Sequence, residues 1–109
     1  MQTDGDIAAI RHNLGNHIRL LRNRQHLSQY AFSDMIDLDR SYIIGVEKGR
    51  RNISIDNLCK IARGLGVSLS ELCEGIDTEE SIARRKAVME RLLYEEKQKK
   101  ASKDAAKRD

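Results

Sequence analysis

Apolar residues recur at steps of three and four in short stretches that are separated by polar turns, and this period is the strongest constraint on the fold. The first stretch contains Ile7, Ile10, Leu14, Ile18 and Leu21. Such spacing places one apolar stripe along a single face of an α-helix. No segment alternates apolar and polar residues with a period of two. The sequence therefore predicts an all-α protein.

Capping residues divide the N-terminal part of the chain into five helices. Ser28, Asp39, Ser54 and Ser68 are good N-caps, and glycines follow the predicted helix ends. The helices are predicted at residues 7–25, 29–36, 40–48, 55–63 and, after the capping box of Ser68 and Glu71, through residue 73. In the second helix, the inward-facing residues are expected to be Ala31, Phe32 and Met35.

The chain changes character after residue 75. We expect residues 1–75 to form one compact domain and residues 76–109 to form a helical extension. Asp77 and Glu80 can cap a sixth helix, whose thin apolar seam consists of Ile82, Met89, Leu92 and Leu93, with Val88 beside it. Beyond Tyr94 the only apolar residue type is alanine, so this charged tail is expected to be frayed or disordered.

Composition excludes several classes of protein. A chain of 109 residues with 39% hydrophobic residues supports one small core. We expect no membrane span, no secretory signal and a small soluble intracellular protein. Cys59 and Cys73 have no metal-binding spacing and are expected to be reduced. No nucleophile–base pair, metal set or phosphate loop is visible, so we expect no enzyme activity, cofactor or small-molecule substrate.

Basic residues are concentrated in two segments. The net charge is only +3, but residues 11–63 carry ten basic and five acidic residues, and residues 84–109 carry the same numbers. Five acidic residues and no basic ones lie between Glu71 and Glu80. This distribution is compatible with an anionic partner such as nucleic acid.

Two short helices flank the polar turn Asp37-Leu38-Asp39, and this pair has the form of a helix-turn-helix. The second helix begins with polar and basic side chains. A helix of this size fits the major groove of DNA, where side chains from its first turn reach the base edges.

The residues around this pair carry a family resemblance. In order along the chain stand Leu27-Ser28-Gln29, Phe32, Asp39-Arg40-Ser41-Tyr42-Ile43, Val46-Glu47-Lys48-Gly49, Arg51-Asn52-Ile53-Ser54-Ile55 and Leu58. From about Leu14 to Leu72 the chain resembles the Cro/C1-type (XRE family) helix-turn-helix regulators, and the run LDRSYIIGVEKGRRNISI is similar to the controller proteins of restriction–modification systems. The resemblance implies a five-helix, lambda-repressor-like domain that binds DNA and regulates transcription. It also implies a cytoplasmic protein of bacterial or phage type that associates with the nucleoid.

Three positions depart from the family pattern. Ser33 stands where alanine is usual, Asp37 where glycine is usual and Ile44 where serine is frequent. We expect Asp37 to adopt a left-handed conformation and Ser33, if buried, to bond a backbone acceptor. An exposed Ile44 would favour contact with a thymine methyl group.

The resemblance implies the residues that contact double-stranded DNA. They are Gln29, Arg40, Ser41, Tyr42, Ile44, Lys48, Arg50, Arg51 and Asn52. Arg40 and Ser41 open the recognition helix, where guanine readout or phosphate binding is possible. Gln29 is expected at a phosphate. Arg22 and Glu47 are expected to form a partly buried structural ion pair.

A single recognition helix reads few base pairs, so we expect a homodimer on an inverted repeat. The resemblance suggests an interface near the fifth helix, with Leu65, Val67, Leu69 and Leu72 as candidates. These residues can also simply close the domain's own core. The sixth helix can add a second dimer seam or lie back on its domain. An antitoxin-like or adaptor module, whose extension binds a partner protein, is the alternative function.

Overall fold

Six α-helices make up the regular structure of residues 3–107, which the computed structural model describes, and this part of the chain contains no strand. In chain order they are α1 (Thr3–Arg24), α2 (Gln29–Met35), α3 (Arg40–Glu47), α4 (Ile55–Leu65), α5 (Leu69–Leu72) and α6 (Glu79–Lys107). The all-α prediction is confirmed. The chain divides into two compact units, Met1–Thr78 and Glu79–Asp109, which are described separately below.

The core of the first unit is formed by the inner faces of α1 to α5. Its fully buried side chains are those of Ile18, Phe32, Ile43, Val46, Ile61 and Leu72. The predicted stripe on α1 holds at Leu14 and Ile18, but Ile7 is 47% exposed. α1 has 22 residues, whereas the helices α2 and α3 have 7 and 8. A helix of that length extends past such short neighbours, so its first turns have less apolar surface to cover them.

The inward face of α2 differs from the predicted one. Phe32 is buried as expected, but Ser33 and Ile36 share its face, while Ala31 is exposed and Met35 is 53% exposed. The Ser33 hydroxyl donates to the carbonyl oxygen of Tyr30 at 2.9 Å. This bond confirms the expected backbone acceptor and lets a polar side chain occupy a core position.

Three of the four predicted N-caps close their helices with side-chain bonds. The hydroxyls of Ser28, Ser54 and Ser68 accept from backbone N–H groups three residues later. Asp39 is the N-cap of α3 by position and backbone conformation, but its side chain makes no capping hydrogen bond, which corrects that part of the prediction. The first turn of α3 therefore lacks a side-chain acceptor of its own at the N-cap.

Left-handed residues set the directions of the connections. Asp37 has a φ of 57°, as expected for the position where glycine is usual, and the Leu38 N–H donates to the Ser33 carbonyl at 2.9 Å. His26, at φ 58°, turns the chain after α1, where the sequence predicts a break between the first two helices. Asn13 also donates from Nδ2 to the Ile76 carbonyl at 3.0 Å, so the chain after α5 returns to α1.

Gly15 marks the closest approach of α1 and α3. A Cβ atom at this position would overlap the Val46 carbonyl oxygen and lie 2.6 Å from the Glu47 carbonyl oxygen. Real Cβ atoms do not approach backbone oxygens this closely. A glycine is therefore needed at position 15 for α3 to lie where it does.

The second unit is one helix, α6. It begins at Glu79, close to the predicted cap, and continues to Lys107, whereas composition predicted a frayed or disordered segment after Tyr94. Glu80 and Arg84 form an i,i+4 ion pair at 2.5 Å near its start. Ala, Lys, Glu and Gln favour helix intrinsically, so a segment too polar to bury a core is still able to be helical.

Among the helices that the structure describes, none combines the length and the apolar character needed to cross a membrane.

We expect Gly15→Ala to destabilise the protein by about 1–3 kcal/mol, because the added methyl group pushes α3 away from α1. Gly5→Ala in the same helix is the control. Nothing lies within 4 Å of a Cβ at Gly5, so this change is expected to be neutral or to stabilise by up to about 1 kcal/mol. Urea unfolding followed by circular dichroism measures both. Equal stability of the two variants would show that the helices can separate without cost.

Candidate nucleic-acid interface

α3 has one face in the core and one face toward solvent. Ile43, Val46 and Glu47 are buried against α1 and α2. Arg40 and Ser41, which open the helix, are exposed, and Ile44 on the next turn is half-buried. The exposed start of α3 thus presents a guanidinium, a hydroxyl and an apolar group together. These groups suit guanine, phosphate and thymine methyl contacts respectively.

The buried side of α3 is fixed to α1 by a bidentate ion pair. Arg22 donates from Nε to Glu47 Oε2 at 2.7 Å and from Nη2 to Oε1 at 2.8 Å. Its Nη1 donates to the Leu27 carbonyl at 2.7 Å. Both side chains are nearly inaccessible, at 8% and 3% exposure. This is the pair that the resemblance implied for these two positions.

The Arg22 guanidinium stays charged at neutral pH. The hydrogen bonds that it donates to Glu47 raise its pKa above the already high ordinary value, and burial opposes this only in part. A raised basic pKa gives stability that is present at lower pH and is lost only when pH exceeds that pKa. The contribution of the guanidinium to this contact is therefore kept well above neutral pH.

Gln29, expected at a DNA phosphate, is tied to the same pair. Its Nε2 donates to Glu47 Oε1 at 3.1 Å, and the side chain is half-buried at the start of α2. One carboxylate therefore connects α1, α2 and α3. Gln29 keeps a second N–H and its amide oxygen for other partners, because an amide has two donors and one acceptor group.

A second group of side chains is centred on Tyr42, in the first turn of α3. The Arg51 guanidinium carbon is 5.5 Å from the centre of the Tyr42 ring, within the range of a cation–π interaction. Asn57 Nδ2, from α4, donates to the Tyr42 hydroxyl at 3.0 Å. A Cβ on Gly45 would lie 3.1 Å from Arg51 Cγ and Nε, so the arginine crosses α3 where the helix has no side chain.

Sequence reasoning did not single out Asn57 or Gly45. An amide in the middle of an amphipathic helix and a glycine inside a short helix each have many explanations. Only the contact with Tyr42 or Arg51 distinguishes them. From the sequence alone, Gly15 indicates only a position of low helix propensity within the first helix.

The remaining predicted DNA contacts follow α3. Lys48, Arg50, Arg51 and Asn52 are all exposed. The Arg50 N–H donates to the Gly45 carbonyl at 2.9 Å, which holds the loop close to the end of the helix. The nine predicted residues thus fall on three places: the start of α2, the outer face of α3 and the loop after it.

The four candidates for the dimer interface divide into two kinds. Leu65 and Leu72 are buried in the first unit's own core, at 3% and 0% exposure. Val67 is half-buried and Leu69 is 39% exposed. Because the core already covers Leu65 and Leu72, only Val67 and Leu69 have surface left for a second copy.

No group of three or more His, Cys, Asp or Glu residues in the part of the chain that the structure describes is arranged to hold a metal ion. Cys59 and Cys73 are free thiols. Burial raises the pKa of the Cys73 thiol, so it stays protonated at neutral pH.

Comparison with known proteins identifies the family. The profile of the helix-turn-helix family (HTH_3) matches residues 18–72. The chain belongs to this family. Its members are transcription regulators and in general not enzymes. The resemblance described from the sequence is confirmed.

Similar proteins include several control proteins. Control protein C.MunI of Mycoplasma sp is 46% identical over 71 residues, which are 64% of this chain and 96% of that protein. The crystal structure of the restriction–modification controller protein C.AhdI from Aeromonas hydrophila matches with a TM-score of 0.56 and 40% identity, over 57% of this chain and 94% of that one. The controller protein C.Esp1396I, solved as a tetramer with its natural 35 base-pair operator, matches with a TM-score of 0.56 and 30% identity, over 62% and 88%.

We expect Glu47→Ala to destabilise the protein by about 3–5 kcal/mol, because it leaves the Arg22 guanidinium buried without its partner. The double variant Arg22→Met/Glu47→Met is the control and should lose less stability than the single one. Urea unfolding measures both. A single variant as stable as the double one would mean that Arg22 finds water or another acceptor.

Proposed function

We propose that the protein binds an inverted-repeat operator as a homodimer, with the exposed start of α3 in the major groove of each half-site. The observation that carries this proposal is the position of Arg40 and Ser41, which lie exposed at the opening of a helix whose other face is buried. The role is transcription regulation without catalysis, in the cytoplasm. Residues 1–75 would be the DNA-binding domain, and residues 76–109 the extension.

The base-reading groups are those at the start and middle of α3. A guanidinium at Arg40 can donate two hydrogen bonds to one guanine, and the Ser41 hydroxyl can bond several base edges. The half-buried Ile44 adds an apolar surface for a thymine methyl group. Half-burial suits this role, because the remaining exposed part is fixed in position by the neighbouring core.

The phosphate-binding groups flank α3 on two sides. Gln29 stands at the first turn of α2, where backbone N–H groups also point toward an incoming anion. Lys48, Arg50, Arg51 and Asn52 are exposed at the other end. Phosphate contacts on both sides fix the register of a recognition helix on the duplex, and base contacts then select the sequence.

The Tyr42 hydroxyl already accepts one hydrogen bond from Asn57, which leaves its own proton for a phosphate oxygen. The Tyr42 ring is hydrogen-bonded at its hydroxyl and contacted on its face by Arg51, so it has few alternative rotamers. We propose that Asn57 positions Tyr42 and that Tyr42 and Arg51 contact the DNA backbone together.

Dimerisation would use the residues near α5 that remain accessible. Leu69 and Val67 offer apolar surface outside the core. The relative C.Esp1396I was solved as a tetramer in complex with its natural 35 base-pair operator. A paired arrangement of the present chain on a two-fold site agrees with that precedent.

Salt dependence tests the proposed binding mode. If about 4–5 phosphates are neutralised per subunit, the log–log slope of affinity against salt for the dimer should be near −8. The operator is first isolated by selecting bound duplexes from a random pool, and a fluorescent copy is then titrated at several salt concentrations. A slope near zero, or no selected sequence, would contradict DNA binding by this surface.

Arg40→Ala tests base readout. We expect it to weaken binding to the selected operator by about 1–3 kcal/mol and to relax the preference at one base pair of each half-site. Arg63→Ala, an exposed arginine in the last turn of α4, is the matched control with the same change of charge. If Arg40→Ala weakens all duplexes equally, Arg40 binds phosphate and another residue reads the base.

A further inference from the structure

α6 carries an apolar seam that is exposed to solvent. Ile82, Met89, Leu92 and Leu93 are each about half exposed along the first half of a helix of 29 residues. The helix-turn-helix match ends at residue 72, so α6 lies outside the part of the chain that defines the family. Apolar side chains on an otherwise highly charged helix suggest a surface that another helix covers.

The charged residues beside this seam have an ordered pattern. Glu79, Lys86, Glu90 and Lys97 are all exposed, and their spacings of seven, four and seven residues keep them on one flank of the helix. Their charges alternate as minus, plus, minus, plus. The pattern is centred on Val88, because Glu79 and Lys97 are nine residues from it and Lys86 and Glu90 are two residues from it.

Reversal of the helix about Val88 inverts every sign in this pattern. A second copy that lies antiparallel therefore places its Lys97 opposite Glu79 and its Glu90 opposite Lys86. The seams overlap along most of their length in the same arrangement, since reversal about Val88 maps the segment from Ile82 to Leu93 onto positions 83–94. We propose that α6 pairs antiparallel with α6 of a second copy of this chain, crossing near Val88.

Other occupants fit this flank less well. A parallel copy in register would set the acidic first turn, Glu79 and Glu80, beside its own counterpart. A nucleic acid backbone is uniformly negative and would be repelled by Glu79 and Glu90. Only a partner with the reversed order of charges matches all four positions, and the chain itself supplies that order.

Pairing of α6 would join two copies at a place other than the DNA-binding surface. A second contact between the two copies raises the effective concentration of one recognition helix near the other. Binding to a two-part operator is then stronger without new DNA contacts. The pairing itself does not depend on DNA binding, so it is tested on the free protein.

Charge reversal is the first test. Glu79→Lys/Glu90→Lys makes the flank uniformly positive and should raise the dissociation constant for self-association of the full chain about tenfold, as several exposed ion pairs become repulsions. Adding Lys86→Glu and Lys97→Glu reverses all four charges and should restore association to the original level. Sedimentation equilibrium at about 0.1 M salt measures these constants.

The control carries the same change of net charge off the flank. Glu80→Lys/Glu95→Lys alters one residue of the first turn and one in the middle of α6, as the test variant does, but both lie outside the alternating pattern. It should leave association within about twofold of the original, allowing for the loss of one exposed ion pair with Arg84. Circular dichroism of each variant checks that α6 remains helical.

Cross-linking is the second test and reports direction. Two proteins are made in a Cys59→Ser/Cys73→Ala background, one carrying Glu79→Cys and the other Lys97→Cys. They are mixed and treated with a short bismaleimide, and intact mass spectrometry identifies the cross-linked products. The mixed product should predominate, because two copies of position 79 lie about 27 Å apart in the antiparallel pair. Abundant product between two Glu79→Cys chains, or no rescue by the fourfold reversal, overturns the proposal. Operator binding by the same variants then reports separately on the proposed function.

Discussion

The candidate DNA-binding surface depends on one buried carboxylate, that of Glu47. It receives two hydrogen bonds from Arg22 on α1 and one from Gln29 on α2, so the three helices are held at a single point beneath α3. A short helix of 8 residues has little stability of its own, and its orientation comes from its neighbours. Gly15 permits the close approach on which those bonds rely.

The outer surface extends this constraint. Gln29 faces the carboxylate on one side, and Tyr42 is held by Asn57 on the other. Residues that are expected to contact DNA are thus hydrogen-bonded to residues that are not among the expected contacts. Preorganisation of this kind lowers the entropy cost of recognition, so substitutions at residues that only support the expected contacts should also weaken binding.

Much of this could be read from the sequence. The helical period and the serine caps gave the five helices, and the spacing of the family motifs located α2, α3 and the ion pair. The inward face of α2 could not be predicted, because serine is a polar residue and is not expected in a core. Ser33 is buried there because its hydroxyl donates a hydrogen bond to the Tyr30 carbonyl oxygen. The roles of Gly15 and Asn57 depend on distances between helices, which no local pattern contains. The sequence left the charged tail as either frayed helix or disorder, because composition reports on core formation rather than on helix propensity.

The bare backbone at Gly45 has a consequence for the strength of the proposed DNA binding. Arg51 lies across α3 at the turn that has no side chain, with its Cγ and Nε 3.1 Å from where a Cβ would be. An added methyl group would require the arginine to shift by a few tenths of an ångström, and a larger side chain would move it away from the tyrosine ring. If Arg51 binds phosphate and Arg40 reads a base as proposed, such a change would weaken binding to every duplex while leaving base selection intact, so affinity and specificity could change as separate properties.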